Sequence, residues 1–299
     1  MKLGISTVVY IHYPLAEAAQ RIADHGFKAV HLNVNYDHPD TSFSTGRIDA
    51  SVAKQTAEHF LSSGTEIASL AGYVNFIDLD VSRRRAQLEQ FRVLLQHCRD
   101  FGTTVLATGT GTLNPLSPWA YDPGNRTEES WRAFMDAFCP FVPIAEDVGV
   151  TIAIEPFVQH VVYDIATVER LFTEVDSPAV KLVMDPSNYF SRENIDEMDS
   201  FLRELFQSLG SRTVVAHAKD VQVLGPQDGN LKPGSGGPEA GLMHPAAGSG
   251  CMNYPEYLSL LHQAKPDVRL VLEHLWESDI DRAREYISHA WPDTDPEKP

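Results

Sequence analysis

Thr151-Ile152-Ala153-Ile154-Glu155-Pro156-Phe157 is an alternating run that ends in a carboxylate. Successive side chains of a strand point to opposite faces, so Thr151, Ala153 and Glu155 share one face while Ile152 and Ile154 share the other. Glu155 is thereby an inward-facing carboxylate at a strand's C-terminal end. The ending recurs in Val183-Met184-Asp185, Val215-Ala216-His217 and Val271-Leu272-Glu273. From 155 to 185 is 30 positions, from 185 to 217 is 32, and from 217 to 273 is 56. A strand and its helix occupy ~30 residues in an eight-unit barrel of about 250. The first two steps are therefore single βα units, and the third is one unit carrying a long insertion.

Strand-like and helix-like segments alternate outward from this stretch in both directions, the pattern of an α/β fold with a parallel sheet. Strands are expected near Lys2–Val9, Ala29–Val34, Glu66–Tyr73, Thr104–Thr110, Thr151–Phe157, Val180–Pro186, Thr213–Val221 and Arg269–His274. Helices are expected near Pro14–His25, Ser51–Ser63, Val81–Phe101, Thr127–Val148, Ile165–Val175, Ile195–Ser208, Tyr254–Ala264 and Asp279–Ala290. Gly26, Gly64, Gly102 and Gly149 each follow a helical pattern, as helix-stopping glycines do. Eight units without a composition break predict one (β/α)8 TIM barrel over residues 1–290, with a frayed tail at 291–299. Two connections, 114–126 and 222–253, are long and follow strands, which places them at the barrel's C-terminal face. The second is rich in Gly, Ser and Pro and reads as a lid over the site.

The 299 residues carry 24 Lys and Arg against 41 Asp and Glu, a net charge of −17. Affinity for nucleic acid rests on neutralising phosphates with Lys and Arg, so this balance argues against such a partner. Three cysteines, Cys98, Cys139 and Cys251, form neither a disulfide framework nor a zinc-knuckle spacing, which fits a reducing cytoplasm. The apolar run Leu3–Ile11 is too short to span a membrane and reads as the first strand.

Inward residues at the C-terminal ends of barrel strands converge on the axis, so Glu155, Asp185, His217 and Glu273 are expected to meet. Three carboxylates held together repel, and a divalent cation relieves that repulsion. An oxygen-rich set with one imidazole suits Mn²⁺ first, with Mg²⁺, Co²⁺ and Zn²⁺ also compatible. Any one strand-end acid is ordinarily a helix cap or an ion-pair partner; four in equivalent positions are harder to explain that way. Lys181 and Arg269 lie lower on the same faces and read as ion-paired plugs of the barrel floor.

Taken together, Glu155, Asp185-Pro-Ser-Asn188, His217-Ala-Lys-Asp220, Val271-Leu-Glu273-His and Gly248-Ser-Gly250 before Asn253-Tyr254 resemble the sugar isomerase/epimerase superfamily, with its xylose isomerase-like barrel. The likeness covers nearly the whole chain. It implies a single-metal site of Glu155, Asp185, His217 and Glu273, with Glu155 and Glu273 also acting as acid/base groups on a bound ketose. Chemistry agrees with that implication: a chelated carbonyl is polarised, and one carboxylate can remove an α-proton that it or the other returns. Return to the neighbouring carbon is isomerisation; return on the opposite face is epimerisation. Ketose epimerases of this type usually carry His three residues after the metal-binding Asp, where this chain has Asn188. An amide still donates a hydrogen bond but carries no proton in exchange.

Substrate contacts are expected from His160, which relatives often place facing the substrate, and from Asn188, Lys219, His31, Asn33 and Thr108. Thr110, Tyr73 and Asn75 are further neutral groups suited to sugar hydroxyls, and Trp119 and Phe157 could wall a sugar ring. Asp220 is expected to orient Lys219 or to cap the following turn. The leading expectation is a metal-dependent sugar isomerase or epimerase with a small carbohydrate substrate. The alternative is a lyase or dehydratase on a keto-inositol or 3-keto-glycoside. Two further classes are weighed: an endonuclease IV-type repair enzyme, which would need histidines where Tyr73, Thr108 and Asn188 stand, and a non-catalytic sugar-binding barrel. Helix eight opens on acidic Glu277-Ser278-Asp279, so a phosphorylated substrate is not expected. Related barrels often pair, which suggests a homo-oligomer, but no apolar stripe selects an interface.

Overall fold

In the computed structural model, which describes residues 2–45, 47–225 and 241–292, the opening stretch forms the strand Thr151–Ile154 at the middle of a closed barrel. Eight parallel strands close it. They are β1 (Lys2–Ser6), β2 (Ala29–Asn33), β3 (Glu66–Ala71), β4 (Val105–Thr108), β5 (Thr151–Ile154), β6 (Val180–Met184), β7 (Thr213–Ala218) and, after a two-stranded insertion, β10 (Arg269–Leu272). The insertion pairs β8 (Gln222–Val223) antiparallel to β9 (Leu242–Met243). Neighbours run in sequence order, and β10 closes on β1 through Lys2–Arg269 to Ile5–Leu272. The barrel expected from the alternation is therefore the one formed.

Most strands end earlier than expected. Glu155, Asp185 and Glu273 each stand one residue past the last paired residue. Alternation continues for as long as the backbone is extended, whereas pairing stops where neighbours diverge, and divergence leaves no mark in the sequence. The ladder nonetheless reaches two of the acids. Glu155 N–H donates to Thr108 O at 2.8 Å and Glu273 N–H to Ala218 O at 3.1 Å.

The helices are α1 (Leu15–Asp24), α2 (Ala50–Ser62), α3 (Val81–His97), α4 (Glu128–Phe138), α5 (Val142–Val148), α6 (Ile165–Val175), α7 (Met198–Leu209), α8 (Tyr254–Ala264) and α9 (Ile280–Ala290). The single helix expected over 127–148 is instead two, joined by a 3-10 turn at Cys139–Phe141. Pro140 and Pro143 lack the N–H that would continue the ladder, so each can sit only in the first turn of a new segment. Gly26, Gly64, Gly102 and Gly149 all adopt positive φ behind their helices, as their placement implied.

Ile152, Ile154, Leu182 and Leu272 face outward into the layer between barrel and helices. Inside the barrel, Ala107, Ala153, Val183, Val215 and Val271 form a separate apolar layer, each at most 1% exposed. Ala153, Val183, Val215 and Val271 lie two residues before Glu155, Asp185, His217 and Glu273, so this layer is the floor of the site. Lower still, Arg269 Nε pairs with Glu66 Oε1 at 2.8 Å and Lys2 Nζ with Glu66 Oε2 at 3.1 Å. Arg269 is ion-paired there, as expected, whereas Lys181 makes no ion pair among the described residues. Among the described residues no helix is long and apolar enough to cross a membrane. Of the expected lid, 226–240 lies outside the described residues, as does 293–299 of the expected tail.

Candidate metal centre

Four strand ends deliver the expected ligands to one point. His217, fully buried on β7, places Nδ1 3.5 Å from Glu155 Oε1, 3.6 Å from Asp185 Oδ2 and 3.3 Å from Glu273 Oε2. One ligand atom from each of the four residues lies within 4.8 Å of all the others. These separations are long for N–H···O hydrogen bonds. They match two ligands on one cation, because bonds of ~2.1 Å set adjacent donor atoms ~3.0–3.6 Å apart. His217 Nδ1 has no hydrogen-bond partner among the described residues. A buried imidazole nitrogen facing three carboxylate oxygens is the arrangement a divalent cation would satisfy, so the residues fit a metal.

The surroundings treat the three acids differently. Glu155 is held at both oxygens: Asn188 Nδ2 donates to Oε1 at 2.7 Å, and the Tyr73 hydroxyl donates to Oε2. Asp185 Oδ1 accepts from Ser187 Oγ at 2.6 Å, and Lys219 Nζ lies 3.1 Å from Oδ2. Among the described residues Glu273 receives no side-chain hydrogen bond, and it keeps 13% of its side chain exposed, the most of the four. Burial by itself raises all three pKa values. For Glu155, His217 and then Lys219 overcome it and hold the group at about 2; for Asp185, Lys219 and then His217 hold it well below the carboxylate range. For Glu273, burial with the repulsion of Glu155 prevails, and its pKa is pushed up to about 7. Burial opposes charge on His217 and Lys219 as well, but the surrounding carboxylates raise both well above their ordinary values.

Lys219 sits inside the cluster as an internal counter-cation, 4.0 Å from Glu155 Oε1 as well. Asp220 caps the turn after β7: its carboxylate accepts from Val221 N at 2.9 Å, Met252 N at 2.8 Å and Gly248 N at 2.9 Å. A Cβ at Gly250 would fall 2.2 Å from Val221 O, which explains the small residues of Gly248-Ser-Gly250. Asn253 then caps α8, accepting from Glu256 N at 3.2 Å.

His31 joins the cluster from β2, with Nδ1 2.7 Å from Ser69 Oγ and Nε2 4.0 Å from Glu273 Oε1. Burial, followed by the charge of His217, lowers its pKa to about 3, so the ring is neutral. Asn33 closes a turn instead, accepting from Asn35 N at 3.0 Å. The Thr108 hydroxyl faces backbone at Gly109 O and Val74 N. Thr110 accepts from Val162 N at 3.2 Å, and Asn75 holds Thr112 at both N and O. His160 stacks on Trp119 at 5.5 Å, with Nε2 2.9 Å from Pro118 O, and Trp119 also packs edge-on against Tyr73 and Phe157. Trp119 and Phe157 thus belong to one wall, which runs into the site through Tyr73.

Sequence reasoning did not anticipate the hydrogen bonds of Tyr73 and Asn188 to Glu155, or the Ser69 contact with His31. Nor did it anticipate Tyr257, whose hydroxyl donates to His217 O at 2.8 Å from α8. Ser187, two residues after Asp185, had a readable signal in the tendency of Asp to bond its neighbours two residues on. The others join residues 33 to 82 positions apart and had none.

Solved structures share this architecture. The apo 3-keto-D-glucoside 4-epimerase from E. coli matches with a TM-score of 0.69 and 16% identity, over 97% of this chain and 99% of that one. The IolI protein, solved with a zinc atom, matches at 0.67 and 19%, over 97% and 95%. A probable 3-DHS dehydratase of petrobactin synthesis from Bacillus anthracis matches at 0.67 and 17%, over 96% and 98%. No curated protein sequence matches significantly. At these identities the structures establish the fold alone, but residues 19–290 also match the family model described as xylose isomerase-like TIM barrel, and the chain belongs to that family.

Proposed function

We propose that this chain is a divalent-metal-dependent isomerase or epimerase of a ketose or related carbonyl sugar, which moves an α-proton with Glu155 and Glu273. One observation carries the reading. Two glutamates from strands separated by β6 and β7 approach the same His217 nitrogen, at 3.5 and 3.3 Å, one held by two side-chain hydrogen bonds and the other by none among the described residues. Glu155, pinned at both oxygens, stays ionised and oriented. Glu273, more exposed toward the mouth and without a side-chain hydrogen bond among the described residues, is the carboxylate better placed to exchange a proton with substrate. Glu155, Asp185, His217 and Glu273 would hold the cation, Mn²⁺ being the first choice; when bound it polarises the carbonyl and stabilises the charge that proton removal creates. Lys219 offers charge and donors to a substrate oxygen, and the apolar floor of Ala153, Val183, Val215 and Val271 offers water no polar partner beneath the site.

Support for a carbohydrate substrate comes from structures of the same fold that include a 3-keto-D-glucoside 4-epimerase. A second reading, a lyase or dehydratase on a keto-inositol or 3-keto-glycoside, draws on Asn188. Its Nδ2 donates to Glu155, and an amide cannot release a proton, so that position offers no acid to the substrate oxygen that epimerases of this type address with His.

Proton NMR in D₂O tests both readings, using Mn²⁺-loaded protein and a panel of ketoses, keto-inositols and 3-keto-glycosides. Deuterium should enter the α-position, and Glu155→Gln or Glu273→Gln should slow entry by ~10²–10⁴-fold. An exchanged or inverted sugar identifies the isomerase or epimerase, and an unsaturated product the lyase. No exchange from any substrate by stoichiometrically metallated protein would remove the proposal.

A further inference from the structure

Lys181 is half-buried at the barrel floor and makes no ion pair among the described residues. Its side chain leaves β6 on the axis side: register sets it beside Ala153 of the inner apolar layer, and Val183, two residues on, belongs to that layer too. The level it occupies is polar. There β1 and β10 bring Lys2 and Arg269 side by side, two residues before Gly4 and Val271. Glu66 of β3 takes both, with Oε1 2.8 Å from Arg269 Nε and Oε2 3.1 Å from Lys2 Nζ. A cavity of about 390 Å³ opens at this level, lined by Glu66, Ala68, Arg99, Thr103, Val214 and Arg269 among others. In the closed sheet β3 and β4 stand opposite β7 and β10, so a cavity lined from both sides crosses the barrel axis. Lys181 enters from β6, in the arc between β7 and β4. The volume is that of a small-molecule site.

Charge decides what such a cavity takes. Lys2, Arg99, Lys181 and Arg269 are four cations against Glu66, the one acid in the lining, in a chain whose net charge is −17. Arg269 gives only Nε to Glu66, and Arg99 only Nη1 to Gly149 O at 3.3 Å, so both guanidiniums keep donors unengaged among the described residues. A guanidinium presents a planar fork of N–H groups that matches the oxygens of a phosphate or carboxylate. We propose that the barrel floor binds a small oxyanion, a phosphate or a carboxylate, on Arg99, Lys181 and Arg269. The layer of Ala107, Ala153, Val183, Val215 and Val271 separates this site from the metal centre. Ligands of opposite charge thus bind at opposite ends of one barrel, and neither site depends on the other.

The experiment is isothermal titration calorimetry of the chelator-stripped full chain with inorganic phosphate and, separately, succinate, against chloride at constant ionic strength. Stripping removes any metal that would itself take the anion. One equivalent of phosphate or succinate is expected to bind, and the tighter of the two identifies the group that the floor receives. Lys181→Gln and Arg99→Gln should each weaken that binding by ~10–100-fold, because each removes a charged donor to the anion. Arg203→Gln, which removes one exposed cation on α7, should leave it unchanged. Circular dichroism is the folding control, and Arg99→Gln, at an exposed position, decides the matter if Lys181→Gln does not fold. Binding of neither probe to the wild type overturns the inference, as does full affinity retained in both floor variants. An equal loss in Arg203→Gln also overturns it, since net charge rather than the floor would then set the affinity.

Discussion

Glu155 and Glu273 are the same residue type at equivalent strand ends, yet their neighbours give them different characters. Asn188 and Tyr73 occupy both oxygens of Glu155, whereas Glu273 accepts no side-chain hydrogen bond among the described residues. Tyr73→Phe removes one donor from an ionised, buried carboxylate while preserving the ring packed against Trp119. A hydrogen bond to a charged group is worth ~1.5–3 kcal/mol, so kcat/KM should fall ~10–100-fold with the fold retained. Steady-state kinetics beside a thermal melt will show it, and unchanged kinetics would mean that Tyr73 does not orient Glu155. Asn188 shows how the reading of a position depends on its partner: by sequence it faced the substrate, and in the structure its amide holds a glutamate from the preceding strand.

At the scale of elements, one carboxylate gathers the two ends of the insertion after β7. Asp220 accepts three backbone N–H groups, from Val221, Gly248 and Met252, beside the bridge between Lys219 and Ala246. In Asp220→Ala those three amides should exchange with D₂O at least ~10-fold faster, because each lost hydrogen bond to charge is worth more than ~1.4 kcal/mol. Unchanged protection would show that the turn holds itself. The start of α3 offers a pH-dependent case. Asp78 is 4% exposed; burial would raise its pKa, but the Arg83 guanidinium and the Asp80 N–H outweigh burial and lower it. A depressed carboxylate contributes stability that is fully present above its unfolded pKa of about 3.9 and lost as pH falls through the lower folded value. Asp78→Asn should therefore lower the urea midpoint at pH 7, with the difference from wild type narrowing below about pH 4. A difference independent of pH would rule out the ion pair as its source.

At the scale of the whole molecule, the barrel concentrates three carboxylates over an apolar floor, a charge density that its own Lys219 and His217 offset only in part. A cation that binds only the folded state stabilises it by RT ln(1 + [L]/Kd), ~2.7 kcal/mol at a hundredfold excess over Kd. Mn²⁺ should accordingly raise Tm by several degrees, with EDTA reversing the rise and Asp185→Asn abolishing it. Differential scanning calorimetry measures this, and a Tm indifferent to Mn²⁺, Co²⁺ and Zn²⁺ would count against the metal centre.

Strand periodicity, helix-stopping glycines and intervals near one βα unit determined the barrel, and with it the meeting of Glu155, Asp185, His217 and Glu273. Each of those signals is local, and the closed sheet turns local order into convergence. Pro140 and Pro143 mark the break in the helix expected over 127–148, a local signal in the sequence itself. Only the tertiary structure decided which oxygen of Glu155 meets Asn188 and which meets Tyr73, that Ser69 orients His31, and that Glu273 alone stays open to the mouth. Those contacts join residues on different strands and loops, whose side-chain directions follow from register and packing. No spacing along the chain encodes them.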